Sequence, residues 1–554
     1  MFKIFVCLCI LQLILPSKVY SNPVPASSDD SREFPLSIVH INDFHARFEQ
    51  TDELGGECKP TAKCVGGYAR LVTVVKKLKE EGQNTIFLNA ADNYQGTLWY
   101  NLGKWNVTAY FMNLLPADAM TLGNHEFDDK IEGIVPFLEA IKTPIVVANI
   151  DDSLEPTFKG KYTKSVVLER GGRRIGIVGV IAQNTDNISS PGKLKFLDEI
   201  QSVKNESKRL REEEKVDIVI VLSHIGLDHD YDLAQQAGDY IDAIIGGHSH
   251  SFLWTGENPP GKEKVVDDYP VEIVQTSGRK VLIVQASAFA RYVGNITLYF
   301  DENNNLVRYA GAPVYLDSDV PQDPQIVEEM KAWQEFVHEK GQEVVAESPV
   351  VLSRENCRVS DCNIGNFFTD AYVHEYVSSH TGPSWSPVSI GLMNVGGIRA
   401  SVDRGNVTVS QIITMAPFEN TVDTFDLSGK HLLEAFEHAV TVPKRLGFSG
   451  QNMLQVSGVK LVYDVRKPEG ERVISVKVRC QKCDVPVYEP LDPEETYKIV
   501  TASFLANGGD GFRMIRDNKK NYKVGRKDYD VLINFAKYSS PITIGEEGRI
   551  RIIQ

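Results

Sequence analysis

Ser37-Ile38-Val39-His40-Ile41 runs directly into Asn42-Asp43-Phe44-His45, an apolar stretch that ends in a turn carrying Asp and His. The same pattern returns along the first half of the chain. Thr85-Ile86-Phe87-Leu88-Asn89 leads to Asp92, Val216 to Leu222 leads to His224, and Ile241-Asp242-Ala243-Ile244-Ile245 leads to Gly246-Gly247-His248-Ser249-His250. Uninterrupted apolar runs of this length read as strands covered on both faces. Helical spacing lies between some of them, over Tyr68–Glu81 and Ile200–Glu214. That alternation predicts a layered α/β domain. Polar residues at the carboxyl ends of its strands stand where open α/β sheets bind ligands.

Beyond Leu316 the composition changes. Asp317 to Asp323 is acidic and contains Pro321; Pro324 follows, and Gln325–Gly341 then reads as one helix with Ile326, Met330, Trp333 and Val337 at helical spacing. We take 319–343 as a connector between a first domain at 34–318 and a second α/β region at 344–554. Two domains suit a chain of 554 residues, too long for one ordinary core. No period of ~20–50 residues recurs, so no repeat architecture is expected. With 42% hydrophobic and 24% charged residues the chain is a folded globular protein. Its formal charge of −15 excludes a general nucleic-acid binder, although a metal site can still draw in a small anion.

Residues 1–21 read as a secretory signal, with Lys3 ahead of an apolar run from Phe5 to Leu15 that is too short to span a bilayer comfortably. The closing Gly548–Gln554 is not the apolar tail that a lipid anchor needs, so release without a membrane anchor is the expectation. Cys7 and Cys9 leave with the signal; the remaining pairs Cys58/Cys64, Cys357/Cys362 and Cys480/Cys483 suggest disulfides. A zinc knuckle is the rival for Cys480/Cys483, but no second C-x₂-C follows. Asn106, Asn187, Asn205, Asn295 and Asn406 head glycosylation sequons, a pattern that also arises by chance.

Asp43, His45, Asp92, Asn124, His224 and His248, with His250 as a seventh, form a candidate ligand set. Imidazole and carboxylate together suit divalent transition metals, and Asp92 could bridge two ions ~3.5–4 Å apart. A lone Asp-x-His or His-x-His is ordinary; the ordered series of five, each after a strand-like run, is not. Asn42-Asp43-Phe44-His45, Ala91-Asp92-Asn93, Gly123-Asn124-His125-Glu126-Phe127-Asp128, Ser223-His224 and Gly246-Gly247-His248-Ser249-His250 resemble the motifs of calcineurin-like metallophosphoesterases, and within them the 5′-nucleotidase/apyrase family. The resemblance extends over nearly all of the chain after the signal. It implies a four-layer N-terminal domain, a linker helix, and a C-terminal 5′-nucleotidase-type α/β domain. It also implies that Asp43, His45, Asp92, Asn124, His224 and His248 hold two divalent metals, with His250 added as a ligand from the His-x-His spacing. Zinc is favoured by the donors, with calcium, magnesium and manganese as alternatives. By the same resemblance His125 stabilises the transition state with help from Asp128, whose plainer reading is a helix N-cap.

In the second half, Asn394-Val395-Gly396-Gly397-Ile398-Arg399 sets two glycines beside an arginine, and Arg358 follows Cys357. Glycine permits close backbone approach and guanidinium grips phosphate. Taken alone these are a turn and a surface charge, and Phe418 and Phe504 are core candidates. The family resemblance implies that Arg358, Asn394 and Arg399 contact phosphate or sugar, that Phe418 and Phe504 stack on a base, and that Asp510 meets the ribose. Val395 departs from a Gly frequent in related enzymes, and the chain has one cysteine pair fewer than the vertebrate membrane-bound enzymes it resembles. The small-molecule partners so implied are ATP, ADP or AMP.

Three functions follow. The first is a secreted apyrase taking ATP and ADP to AMP, similar to the salivary apyrases of blood-feeding arthropods that suppress platelet aggregation. The second is a soluble 5′-nucleotidase taking AMP to adenosine. The third is a non-enzymatic nucleotide-binding relative, which predicts missing ligands, and none is missing. The missing anchor favours the first. Nothing in the sequence sets the oligomeric state.

Overall fold

The computed structural model describes residues 33–554 except 54–57, 59–62, 379, 383, 419 and 443–446, and the signal segment lies outside it. The strand Phe34–Ile41 is buried along nearly its whole length, and its side chains part by alternation. Leu36 and Ile38 enter a core shared with Ile177, Val219, Val221 and Ile283, whereas Val39 and Ile41 pack with Leu71, Val72, Val75 and Phe111. Phe34–Ile41 therefore lies between a second sheet on one side and helices on the other.

That strand belongs to a sheet ordered Leu306–Gly311, Tyr292–Phe300, Phe34–Ile41, Ile86–Asn89, Ala119–Met120. The second sheet runs Val271–Val274, Lys280–Val284, Ala243–Ile245, Ile218–His224, Arg173–Ile181, Ser165–Arg170. Helices Tyr68–Glu81 and Leu98–Met112 cover the first sheet; Glu199–Glu212 and Leu227–Gln236 cover the second. The N-terminal domain is thus four-layered, helix/sheet/sheet/helix.

Tyr68–Glu81 is helical as its spacing requires, burying Tyr68, Leu71, Val72 and Val75 while its lysines face water. The strand expected from Ile241 starts only at Ala243, because the Asp242 carboxylate turns back to accept from Val219 N (2.8 Å) and to pair with Arg211 and Arg279. Phe34–Ile41, Ile86–Asn89 and Ala119–Met120 are parallel, as are Arg173–Ile181, Ile218–His224, Ala243–Ile245 and Lys280–Val284. Their carboxyl ends therefore open toward the loops that follow them.

The helix Pro324–Gly341 is capped by Asp323, whose carboxylate accepts from Gln325 N (3.0 Å) and Ile326 N (3.1 Å). Its Ile326, Met330 and Val337 are buried in the N-terminal domain's helical core. The C-terminal region has a sheet ordered Leu454–Ser457, Ile390–Asn394, Thr496–Ala502, Val422–Ser428, Lys520–Lys523, and a second of four strands. The pairs Cys58–Cys64, Cys357–Cys362 and Cys480–Cys483 are disulfide-bonded. Asn106, Asn205 and Asn406 are exposed. Asn295 is half-buried in the strand Tyr292–Phe300, opposite Val39, and the Asn187 side chain lies outside the described residues. Among the described residues no helix is long and apolar enough to cross a membrane.

Candidate active site

The loops that leave those strands are stitched to one another. Asp43 N donates to Ala91 O (2.9 Å), His45 N to Asp92 O (2.9 Å), and Ala46 N to Asn93 O (3.0 Å). Phe289 N donates to Asp43 O (2.8 Å), and His248 N donates to both Asp43 carboxylate oxygens (3.1 and 3.0 Å). Asp43, His45, Asp92, His248 and His250 all have positive φ, between 50° and 73°. Non-glycine residues held there cost ~1–3 kcal/mol each, and such strain gathers where function over-determines the backbone.

The structure brings together Asp43, His45 and His250 in one group of donor atoms, His45, Asp92 and His125 in a second, and Asp92, His224 and His248 in a third. Asp92 Oδ2 stands 3.1 Å from His224 Nε2 and 3.8 Å from His45 Nε2. Asp43 Oδ1 stands 3.1 Å from His250 Nε2 and 3.9 Å from His45 Nε2. The His45 and His250 Nε2 atoms face each other at 3.0 Å.

Backbone carbonyls fix the tautomers. His224 Nδ1 lies 2.6 Å from Ala90 O and His45 Nδ1 3.2 Å from Tyr94 O; a carbonyl can only accept, so each Nδ1 carries the proton. Both Nε2 atoms then point into the cluster. His224 Nε2 and Asn124 Oδ1 are buried with no hydrogen-bond partner, an expensive condition that a cation would relieve. Burial opposes charge on His224, yet Asp92 pushes its pKa up to about 10, so that Nε2 holds a proton which a bound cation would displace; burial and His224 pull His248 down to about 3. Orphaned oxygen and nitrogen donors, two carboxylates and pre-set tautomers fit divalent metal ions.

His125 Nδ1 lies 2.6 Å from Asp128 Oδ2, and Ser189 Oγ donates to Asp128 Oδ1 (2.7 Å). Burial works against a charged His125, but Asp128 and Asp92 outweigh it and raise its pKa. Asp128 caps no helix with its side chain; Asp129 occupies the N-cap of Lys130–Ala140. The C-terminal residues arrive from across the domain boundary. Arg399 Nη2 lies 3.0 Å from His45 Nε2, and Phe418 stacks on His125 with ring centroids 5.3 Å apart and planes 14° apart. Asn394 Nδ2 donates to Asp510 Oδ2 (2.7 Å), and the Phe504 ring lies against Gly509. Arg358 is exposed on the loop closed by Cys357–Cys362.

Several contributors carried no separate sequence signal. Glu126, fully buried, accepts from Gly123 N (2.7 Å), Asp92 N (3.1 Å) and Asn93 N (2.7 Å), tying two ligand loops to one carboxylate. Asn42 Nδ2 donates to Asp43 Oδ2 (2.7 Å) and so orients that carboxylate. Phe289 packs against both His45 (5.5 Å between centroids) and His250 (5.2 Å). The place of Glu126 inside the Gly123–Asp128 motif is the one cue available beforehand.

Gly123 is needed for space. A Cβ there would stand 2.2 Å from Asp92 Oδ1 and 2.8 Å from His224 Nε2. Gly123→Ala is therefore expected to weaken metal binding by about 10–100-fold, the effect of disturbing ligand orientation. Titration of activity against added metal checks this; an unchanged half-saturation point would contradict it.

A family model described as calcineurin-like phosphoesterase matches residues 36–252, and one described as 5′-nucleotidase, C-terminal domain, matches residues 344–517. An apyrase of Tabanus yao is 91% identical over 554 residues, covering 100% of both chains. A 5′-nucleotidase of Homo sapiens is 39% identical over 525 residues, covering 93% of this chain and 90% of that one. The crystal structure of a 5′-nucleotidase precursor from Thermus thermophilus superposes with a TM-score of 0.84 at 34% identity, over 94% of this chain and 100% of that one.

Proposed function

Because the chain belongs to the 5′-nucleotidase family of calcineurin-like phosphoesterases and is a nucleotide phosphohydrolase, we propose that it hydrolyses ATP and ADP to AMP and phosphate. The observation that carries this is the convergence of buried Asp43, His45, Asp92 and His224 with half-buried His248 and His250 beside the His125–Asp128 pair. Full-length identity of 91% to an apyrase supports the choice of substrate within the family.

Asp43, His45 and His250 would hold one divalent ion, Asp92, Asn124, His224 and His248 the other, with Asp92 facing both sets. When bound, such ions neutralise phosphate charge and activate water. The imidazole and carboxylate donors favour zinc, and manganese, magnesium or calcium are the alternatives. His125 keeps its Nδ1 proton on Asp128 and directs Nε2–H toward the oxygen that gains charge as the P–O bond breaks. Arg399, beside His45, reaches the same phosphate chain, and Arg358 serves it from the cleft edge. Phe418 and Phe504 take the base by stacking, worth ~1–3 kcal/mol per base, while Asn394 and Asp510 take the ribose. With the leader read from residues 1–21, the enzyme acts outside the cell, where removal of ADP would suppress platelet aggregation.

Phosphate release from the purified protein, supplied with ATP, ADP and AMP in turn, tests the reading. Release from ATP and ADP with none from AMP is expected, and chelator should abolish it. Release from AMP would instead make the protein a 5′-nucleotidase, and tight nucleotide binding without release would make it a binding protein.

A further inference from the structure

Asp128 engages both of its carboxylate oxygens. Oδ2 lies 2.6 Å from His125 Nδ1, and Oδ1 accepts from Ser189 Oγ (2.7 Å). The pair is only partly covered, the side chains of His125 and Asp128 being 16% and 15% exposed. Water can reach such a carboxylate, and one held by a single bond can turn about its own axis and present either oxygen. Ser189 occupies the oxygen that the imidazole leaves free.

Ser189 is itself placed by a run of bonds that begins at the metal-side strand Ile218–His224. Ala182 N donates to His224 O (3.0 Å). Thr185 donates to Ala182 O through both N (3.1 Å) and Oγ1 (2.7 Å), and Ser189 N donates to Thr185 O (3.0 Å). Thr185 is fully buried and Ile188 nearly so, which anchors the turn in the N-terminal domain. The short helix Thr185–Ile188 also packs against Gly509–Gly511 of the second domain. Ser189 has a plainer role as well, since it completes the sequon Asn187-Ile188-Ser189. Glycosylation needs the hydroxyl in the sequence but no particular partner for it in the folded chain.

We propose that Ser189 is a positioning residue of the phosphohydrolase: its hydroxyl locks the Asp128 carboxylate in the orientation that holds His125 Nδ1–H and aims Nε2 at the reacting phosphoryl group. A group that orients a catalytic imidazole works only when its own direction is fixed. The inference rests on the part that the His125–Asp128 pair plays in the reading above, and adds a third member to it.

The test uses the full chain with its metals and whichever of ATP, ADP and AMP the wild type hydrolyses fastest. Ser189→Ala is expected to lower kcat about tenfold, at the lower end of what one hydrogen bond to a charged group is worth. KM and bound metal should stay as in the wild type, because no ligand and no substrate contact is touched. Ser189→Thr keeps the hydroxyl at an extended position (φ −154°) that suits a β-branched residue, and should restore the rate. Asn187→Gln removes the sequon, leaves the hydroxyl, and should turn over as the wild type does. In an Asp128→Ala background, Ser189→Ala should cost nothing further, since the carboxylate it holds is gone. If Ser189→Ala does not fold, Ser189→Cys, a weak donor of nearly the same size, repeats the readout. A wild-type kcat in Ser189→Ala, the same loss in the Asp128→Ala background, or an equal loss in Asn187→Gln would overturn the proposal. An unchanged rate in Asp128→Ala alone would bring down the His125–Asp128 pair as well, so failure of the hydrolase reading is distinguishable from failure of the Ser189 assignment.

Discussion

Replacing His125 by alanine is expected to lower turnover about 10²–10⁴-fold while leaving bound metal unchanged. The expectation follows from where its two nitrogens stand. Nδ1 is committed to Asp128 at 2.6 Å, and Nε2 lies 4.0 Å from Asp92 Oδ2, farther than the Nε2 of His224 at 3.1 Å. His125 is thus at the edge of the ligand cluster, with its proton-bearing side free to meet developing negative charge. Phe418 covers the other face of its ring. Its backbone N–H donates to Asp92 Oδ1 (3.0 Å), a contact that alanine retains, so the ligand loop should keep its shape. Asp128→Asn should give a smaller loss in the same direction, since the raised pKa of His125 depends on that carboxylate. Metal analysis of His125→Ala beside steady-state kinetics decides the matter; loss of metal in parallel with activity would make His125 a ligand.

Asp92→Asn is expected to be more severe, costing about 10³-fold or more in activity together with loss of metal. Asp92 is common to two of the three donor groups, and it is the carboxylate that lies between His224 and His45. An amide offers one neutral oxygen where the carboxylate offers two charged ones, and several kcal/mol of charge stabilisation go with it, at ~1.4 kcal/mol per decade of rate. Folding should survive. Residue 92 has φ 51°, which Asn tolerates well, and the N–H that donates to Glu126 belongs to the backbone. A variant that folds but turns over slowly at any metal concentration is the expected result. Full activity restored by added metal would reduce Asp92 to an affinity determinant.

The strands and the donor-bearing turns after them were readable because each is a local pattern: an apolar run broken at most by a single polar residue such as His40 or Asp217, then turn residues with donors. Ser37–Ile41, Thr85–Asn89 and Val216–Leu222 all lie in or overlap observed strands, and Tyr68–Glu81 is a helix over the expected span. What no local pattern carries is the pairing between distant segments. Arg399 meeting His45, Phe418 stacking on His125, and Arg47 and Arg399 sharing Phe289 are contacts across hundreds of residues and across the domain boundary. The family resemblance supplied Arg399 and Phe418 as substrate residues, but their contacts with His45 and His125 became visible only in the folded chain. Glu126 lies within the Gly123–Asp128 motif, yet two of its three accepted backbone N–H bonds depend on the Ala91–Asn93 turn closing over it. Asp242 shows the opposite case, a polar residue inside an apolar run that shortens a strand through partners distant in sequence.

The most direct test is the number of divalent ions held by each purified chain, determined by mass spectrometry of the elements after equilibration with zinc or manganese. Two ions per wild-type chain, and a clear deficit in Asp92→Asn, is the predicted result. A wild-type chain that takes up none under any of these conditions, and still releases phosphate from ADP in chelator, would contradict it.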